Sequence, residues 1–398
     1  MSEKLSFLSI RLNTLTIFRG LLEDPVISRL QKLLWLAEKS EDMAQAVSCY
    51  SAFVSILYES TPDLSRFLLS RVLNDENFYV RQKAAGNQIS QSVEFCLAAE
   101  LELMQELSQL RPERIRNAMG YPGFLPSWEN SPCDIKKEYR TRMKKLSRTG
   151  YGIFSRYHAF SVKNGKIIPI KFPDSQSLSD LFGYERERKL VIKNTESFLS
   201  GRGASDMLLY GDAGTGKSST IKAVANAYAV QGLRLVEIKK NQLSEIPDIT
   251  ERLSSNPLKF IIYIDDLSFS GNDENFSALK AILEGSASTR GKNIIIYATS
   301  NRRHLIKENA ADRSGDDIHI NETLQETMSL AARFGLMISY QQPDKEEYLE
   351  IVKNLAEEYG LDMPEEELFR KAEAHAIYSN GRTPRTAKQF VELEKIGI

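Results

Sequence analysis

The chain has 398 residues, enough for two or three domains. Its 42% hydrophobic and 26% charged content exclude a disordered or collagen-like chain. With 52 Lys+Arg against 53 Asp+Glu the net charge is −1, so any affinity for nucleic acid or an anionic membrane has to be local.

At the start of the chain Glu3 and Arg11 interrupt what would otherwise read as a signal h-region. The longest apolar runs, residues 260–264 and 294–297, fall far short of the ~20 needed to cross a bilayer. Cys49, Cys96 and Cys133 include no CxxC pair and build neither a disulfide framework nor a zinc site. They read as small buried hydrophobes in a reducing compartment, and the expected location is cytoplasmic, away from membranes.

Residues 1–120 are sparse in Gly and Pro, and their apolar residues recur at three and four, as in Leu30, Leu33, Leu34, Ala37 and in Phe53, Ile56, Leu57. They predict an N-terminal bundle of four to six helices, with 78–110 helical and Gly86 its weak point. Nothing in this region carries legible chemistry. Residues 121–177 read as a connector: a Pro-rich break, a basic helix over 134–148, and a hairpin. The basic helix carries Lys136, Lys137, Arg140, Arg142, Lys144, Lys145 and Arg148, with Glu138 the only acid among them. On a helical wheel Lys137, Arg140, Lys144 and Arg148 share a face suited to a phosphate backbone, and Tyr139, Tyr151, Phe154 and Tyr157 interleave nearby. The hairpin pairs 157–162 with 167–170 through Asn164-Gly165, the dipeptide that supplies the positive φ angles of a type I′ turn.

From residue 178 the pattern alternates. Apolar runs at 207–210, 235–238, 260–264, 294–297 and 336–340, each separated by a helical segment, imply a five-stranded parallel sheet with helices on both faces over 178–342. After Pro343 the pattern is helical again. Asp344 with Glu347 forms a capping box, Gly360 ends the helix, and Pro364 and Pro384 open two more, so 343–398 is expected to be a three-helix domain.

Gly211-Asp212-Ala213-Gly214-Thr215-Gly216-Lys217-Ser218 fits G-x-x-x-x-G-K-[ST] between a strand and the helix that Ser219 continues. Its glycines let backbone N–H groups face a β-phosphate at a helix N-terminus. Lys217 is expected on the β- and γ-phosphates and the Ser218 hydroxyl on Mg²⁺. The run at 260–264 ends in Asp265-Asp266, a costly place for two carboxylates unless they serve a cation. Asp265 is assigned to Mg²⁺ and Asp266 to polarising the attacking water. ATP and Mg²⁺ are the expected cofactors.

The same residues carry a resemblance. Residues 293–301, ending Thr299-Ser300-Asn301, resemble the fourth strand of AAA+ ATPases, whose terminal polar residue (sensor 1) orients the lytic water; Asn301 matches it. Asp180-Leu181-Phe182-Gly183-Tyr184-Glu185 is similar to the segment that lies against the adenine, placing Phe182 and Gly183 there. Residues 329–336 resemble the arginine-finger box, with Arg333 acting on the nucleotide of a neighbouring subunit. Gly381-Arg382-Thr383-Pro384-Arg385 resembles sensor 2, with Arg385 the candidate and Arg382 its rival.

The resemblance covers about 178–398 and implies an α/β P-loop NTPase fold with an all-α lid. It implies an ATPase forming a homo-oligomeric ring, the hexamer being one form, that remodels an unnamed macromolecule. The paired aspartates are similar to those of bacterial replication initiators and of helicase or transposase loaders. The layout, with the run at 300–305, also resembles a bacterial AAA+ family with a helical N-terminal region. Two alternatives stay open: an ATP-gated binding module with negligible hydrolysis, and a nucleic-acid-associated loader. His158, His304, His319 and His375 show no metal spacing, and the acidic stretch 307–320 lacks the ligand pattern of a calcium loop.

Overall fold

A computed structural model describes residues 4–268, 274–289, 291–301, 332–379 and 381–397. The chain forms two compact units, Met1–Arg156 and Tyr157–Ile398.

The first unit is all-helical: α1 (Leu5–Leu12), α2 (Pro25–Lys39), α3 (Met43–Tyr58), α4 (Leu64–Asn74), α5 (Phe78–Ala84), α6 (Gln91–Ser108) and α7 (Pro112–Met119) precede α8 (Ile135–Met143), α9 (Leu146–Thr149) and α10 (Ile153–Arg156). Among the described residues seven helices precede residue 120, where four to six are expected. The region 78–110 splits at Gly86, whose φ of 72° lies in the left-handed region. Asp24, Asp42, Asp63 and Asn77 each cap a helix by accepting a first-turn N–H, which fixes where α2 to α5 begin. The core gathers Leu30, Phe53, Leu68 and Leu107, and Trp128 lies edge-on to Phe53 with its indole N–H on the Leu110 carbonyl. Glu100, buried in this core, accepts the backbone N–H groups of Thr16, Ile17 and Phe18, which compensates its burial. All three cysteines are free and half-buried, and burial together with the Glu100 carboxylate pushes the Cys96 thiol up to about 11.

The second unit holds a seven-stranded sheet, where the sequence predicts five strands. Its strands are β1 (Ala159–Lys163), β2 (Lys166–Pro169), β3 (Met207–Gly211), β4 (Leu233–Ile238), β5 (Lys259–Ile264), β6 (Ile294–Ser300) and β7 (Leu336–Tyr340), in the order β2-β1-β4-β5-β6-β3-β7. The five expected strands are parallel neighbours. The hairpin extends their β4 edge: β1 pairs parallel to β4 (Ala159 opposite Leu235) and antiparallel to β2. Asn164 and Gly165 both take positive φ, as the turn demands. The hairpin thus satisfies backbone groups that an edge strand leaves unpaired.

Around the sheet lie α11 (Glu185–Leu199), α12 (Lys217–Tyr228), α13 (Ile246–Ser254) and α14 (Glu274–Thr289). The core on one face joins Val191, Ile221, Val224, Leu209 and Tyr297. Three further helices, α15 (Lys345–Tyr359), α16 (Glu365–Tyr378) and α17 (Pro384–Lys395), form the lid around Tyr348, Val352, Leu368 and Phe390. The Asp344–Glu347 capping box and the left-handed Gly360 bound α15 as expected. Among the described residues no helix is long and apolar enough to cross a membrane.

Candidate nucleotide site

The phosphate loop leaves the sheet at Gly211, where φ is 135° and the Asp212 N–H donates to the Tyr340 carbonyl at 3.0 Å. Gly214 and Gly216 take positive φ, and Thr215 Oγ1 donates to the Asp212 carbonyl at 2.8 Å. The loop so wound curls around the Lys217 ammonium, which donates to the Gly211 and Asp212 carbonyls at 3.0 and 2.6 Å. Burial pushes Lys217 below its ordinary pKa against the opposing pull of Asp212, Asp266 and Asp265. Helix α12 starts at Lys217 with Gly216 as N-cap and no capping side chain, so its first-turn N–H groups are left for an anion.

Opposite this loop β5 delivers its two acids. Ser218 Oγ donates to Asp265 Oδ1 at 2.8 Å, and Thr299 Oγ1 donates to the same oxygen at 2.6 Å. The Asp266 N–H is shared between Asp265 Oδ1 and Thr299 Oγ1. Burial acts to raise the Asp265 pKa, but the hydroxyls of Thr299, Tyr263 and Ser218 and the Lys222 charge outweigh it and hold the carboxyl below its usual value. Asp266 turns into the left-handed region at φ 50°, and its Oδ1 accepts from Asn301 Nδ2 at 2.8 Å. A carboxylate and a carboxamide thereby form a pair facing the phosphate loop.

Ser218 and Asp265 offer hard oxygen donors 2.8 Å apart, which suits Mg²⁺, a cation that takes one or two protein ligands and completes its shell with phosphate and water. Among the described residues no cluster of three or more His, Cys, Asp or Glu is placed to hold a metal by itself.

Thr299 and Tyr263 were not singled out from the sequence. Ile264 pairs with Ala298, so the next residue on each strand, Asp265 and Thr299, meet. That register has no local sequence signature. Tyr263 is fully buried two residues before Asp265. Its hydroxyl completes no hydrogen bond of standard geometry, yet lies close enough to Asp265, Ser218 and Thr299 to act on the carboxylate. Tyr263→Phe is expected to leave the fold intact and to raise the Mg²⁺ concentration needed for nucleotide binding, because a hydroxyl that helps to hold the Asp265 carboxyl below its usual value is removed. Titration of Mg²⁺ against a fluorescent ATP analogue reads this directly.

A cleft of about 430 Å³ runs from the acids to the lid, with Leu181, Phe182, Ile351 and Leu355 forming an apolar wall at one end. Gly183 (φ 74°) turns the chain here, and a Cβ on it would meet Ile351 Cδ1 at 2.7 Å. Tyr184 stacks on Tyr340 at 5.1 Å and donates its hydroxyl to the Gln341 carbonyl. Ala213 to Ser219 line the cleft. The Asp212 carboxylate is turned away from it, accepting the Gln342 N–H at 2.8 Å in the connection to the lid.

From the lid, Arg385 lines the cleft and its backbone N–H donates to the Gly214 carbonyl at 3.2 Å. Thr383 caps this helix, and Pro384 occupies its first position. The rival Arg382 is held by both oxygens of Glu373 at 2.9 and 2.8 Å. Arg333 does not line the cleft of its own chain. It precedes β7 at the end where Leu336 pairs with Met207, whereas the phosphate loop leaves at the other end, beside Tyr340. Four residue steps of strand, about 13 Å, lie between those two ends before the loops are counted. Residues 329–331 of the finger box, Arg302 to Leu305, and the stretch 307–320 with His319 lie outside the described residues. His158 is bonded to Asn226, and His375 to Ser379.

Residues 155–395 match the family model described as "Protein of unknown function (DUF815)". The chain belongs to the DUF815 family. Its second unit is an AAA+ P-loop unit in fold and motif order. The DUF815 chain is 27% identical over 148 residues to AAA-ATPase At4g30250 of Arabidopsis thaliana, covering 34% of this chain and 26% of that protein. It is 28% identical over 104 residues to a Replication factor C large subunit of Methanococcus maripaludis, covering 25% and 22%. The match thus spans about a quarter of the length of these curated relatives. Among solved structures, the Thermotoga maritima RuvB Holliday junction branch migration motor superposes with a TM-score of 0.37 at 17% identity, covering 55% of this chain and 63% of that one.

Proposed function

We propose that the DUF815 chain is an Mg²⁺-dependent ATPase that hydrolyses ATP to ADP and phosphate and turns over within a homo-oligomer. The observation that carries this reading is the 2.8 Å hydrogen bond from Asn301 to Asp266 across from the phosphate loop. A nucleotide-binding scaffold needs the loop and Lys217; it does not need a carboxylate held at a fixed angle by a carboxamide. In this reading the α12 N-terminus and Lys217 take the β- and γ-phosphates. Asp266 accepts the proton of the attacking water, Asn301 holds the orientation of that carboxylate, and Arg385 closes on the γ-phosphate from the lid. Mg²⁺, held by Ser218 and Asp265, supplies charge neutralisation on the phosphate oxygens when bound. Phe182 and the apolar wall receive the base.

Arg333 completes the site from a neighbouring copy, because its place at the far end of β7 keeps it from its own phosphate loop. The ring that follows, of hexamer or other size, acts in the cytoplasm on a macromolecular client. Asp266→Asn tests the reading: ATP affinity is retained while turnover falls about 10²–10⁴-fold, the usual weight of a general base.

The second reading, an ATP-gated binding module, is favoured by one feature. Asp266 is a short side chain on a left-handed residue, and its reach is correspondingly fixed. Turnover per chain measured against protein concentration separates the two. An enzyme completed in trans speeds up as it assembles; a gated module shows negligible turnover at every concentration.

A further inference from the structure

The basic segment of the first unit is not absorbed by the ATPase reading. The single helix expected over 134–148 is broken in the structure: α8 stops at Met143, Lys144 and Lys145 form a turn, and α9 begins at Leu146. The cations are thus spread over two helices and a turn rather than along one helical face. Two of its seven cations are engaged internally. Lys136 pairs with Glu102 at 3.4 Å, and the half-buried Arg142 contacts Asn74 Oδ1 at 3.4 Å. The other five, Lys137, Arg140, Lys144, Lys145 and Arg148, are exposed. Among the described residues none of the five has a carboxylate within ion-pair distance. Glu138, Thr141 and Ser147 fill the surface between them, Glu138 being the one acid within the run.

What this ridge lacks decides what it fits. Ile135, Tyr139 and Leu146 all point into the core, at 0%, 1% and 5% exposure. No large hydrophobic residue between Phe124 and Ile168 is exposed. A docking site for a folded protein carries an apolar centre and is depleted in lysine, and a membrane-surface helix needs an apolar face to bury among acyl chains. The ridge offers neither. Of the four stacking candidates in the sequence, Tyr139 and Tyr151 are core residues and Phe154 and Tyr157 are half-buried beyond Arg148, so no exposed aromatic lies between Lys137 and Arg148 as a platform for unstacked bases. A row of unmatched lysines and arginines with no apolar or aromatic companions is complementary to a repeating anion.

We infer that the Lys137–Arg140–Lys144–Lys145–Arg148 ridge binds the phosphate backbone of nucleic acid, independently of sequence, with a duplex as its preferred form. Five phosphate contacts give a log–log salt slope of about −4.5, and so about a 500-fold loss of affinity between 50 and 200 mM salt. The inference does not rest on the ATPase reading.

The test uses the full chain and a fluorescein-labelled mixed-sequence 30-base-pair DNA duplex, followed by anisotropy across the salt range. Binding with a slope between −3 and −5 supports the ridge. So does a fall of the slope to about −2.7 in a Lys137→Gln, Lys144→Gln variant, two contacts at −0.9 each being removed. Lys137→Arg, Lys144→Arg should keep the parental slope, and unchanged thermal melting and far-ultraviolet circular dichroism of the Gln variant show that its fold is intact. Absence of binding at 50 mM salt, a slope shallower than −2, or a Gln variant that binds as the parent does overturns the proposal. Retention on phosphatidylglycerol vesicles with none on DNA overturns it in favour of a membrane, and equal affinity for a polyglutamate peptide overturns it in favour of an acidic protein.

Discussion

Arg333→Ala is expected to leave ATP affinity almost unchanged and to lower turnover by 10³–10⁵, the weight of a guanidinium placed on a transferring phosphoryl group. Affinity is spared because Arg333 lies outside the cleft that its own chain forms. Turnover is not, because a charge that meets the γ-phosphate only as it transfers stabilises the transition state more than the bound ground state. The decisive measurement is complementation. A Lys217→Ala chain is inactive through its own site but still carries Arg333. Mixed with Arg333→Ala, it should return part of the lost activity by lending its arginine to a neighbour's intact phosphate loop. Recovery that rises with the proportion of Lys217→Ala chain and then falls is the expected curve. No recovery at any ratio, with both chains shown to co-assemble, rejects action in trans.

The parts of the site that were legible in the sequence are those whose chemistry is contiguous. The phosphate loop and the Asp265-Asp266 pair each occupy a few consecutive residues, and the geometry they need is local: glycines at positive φ, a helix start, a strand end. Asn301 was legible by its place at the end of the next apolar run, and the structure sets its carboxamide 2.8 Å from Asp266. Thr299 was not, because its role comes from strand register between residues more than thirty apart. The hairpin shows the same divide. Its turn was readable from Asn164-Gly165, but the pairing of Ala159 with Leu235 was not, since parallel pairing across so long a connection leaves no local trace. In the lid, the sequence left Arg382 and Arg385 as rivals. Engagement of one in a bidentate pair with Glu373 and placement of the other at Gly214 are tertiary facts. The basic run was visible as charge, but only the structure removes Lys136 and Arg142 from it and turns Tyr139 inward.

Gly211→Ala is expected to abolish nucleotide binding and to lower the melting temperature of the second unit by about 10 °C. Gly211 ends β3 opposite Tyr340, with φ at 135°, a conformation that costs an L-residue on the order of 1–2 kcal/mol. Strain alone would be tolerable. The added methyl, however, would lie 2.0 Å from the Tyr340 carbonyl oxygen and 2.6 Å from its carbon, and these are backbone atoms of a paired strand that cannot rotate aside. Relief requires β3 and β7 to part at the point where Asp212 N–H meets that same carbonyl and where Gly211 holds the Lys217 ammonium. Losing these contacts along with the strain amounts to about 3–4 kcal/mol, which for a unit of this size is about 10 °C. Gly214→Ala provides the contrast. Its Cβ would meet only side-chain atoms, Thr383 Oγ1 at 3.0 Å and Arg385 Cβ at 3.3 Å, on the lid helix α17. That variant should melt within a few degrees of the parent while weakening ATP binding, because the lid can shift where β7 cannot. Equal melting of Gly211→Ala and the parent, with ATP binding retained, would show that the loop reaches the phosphates by another path.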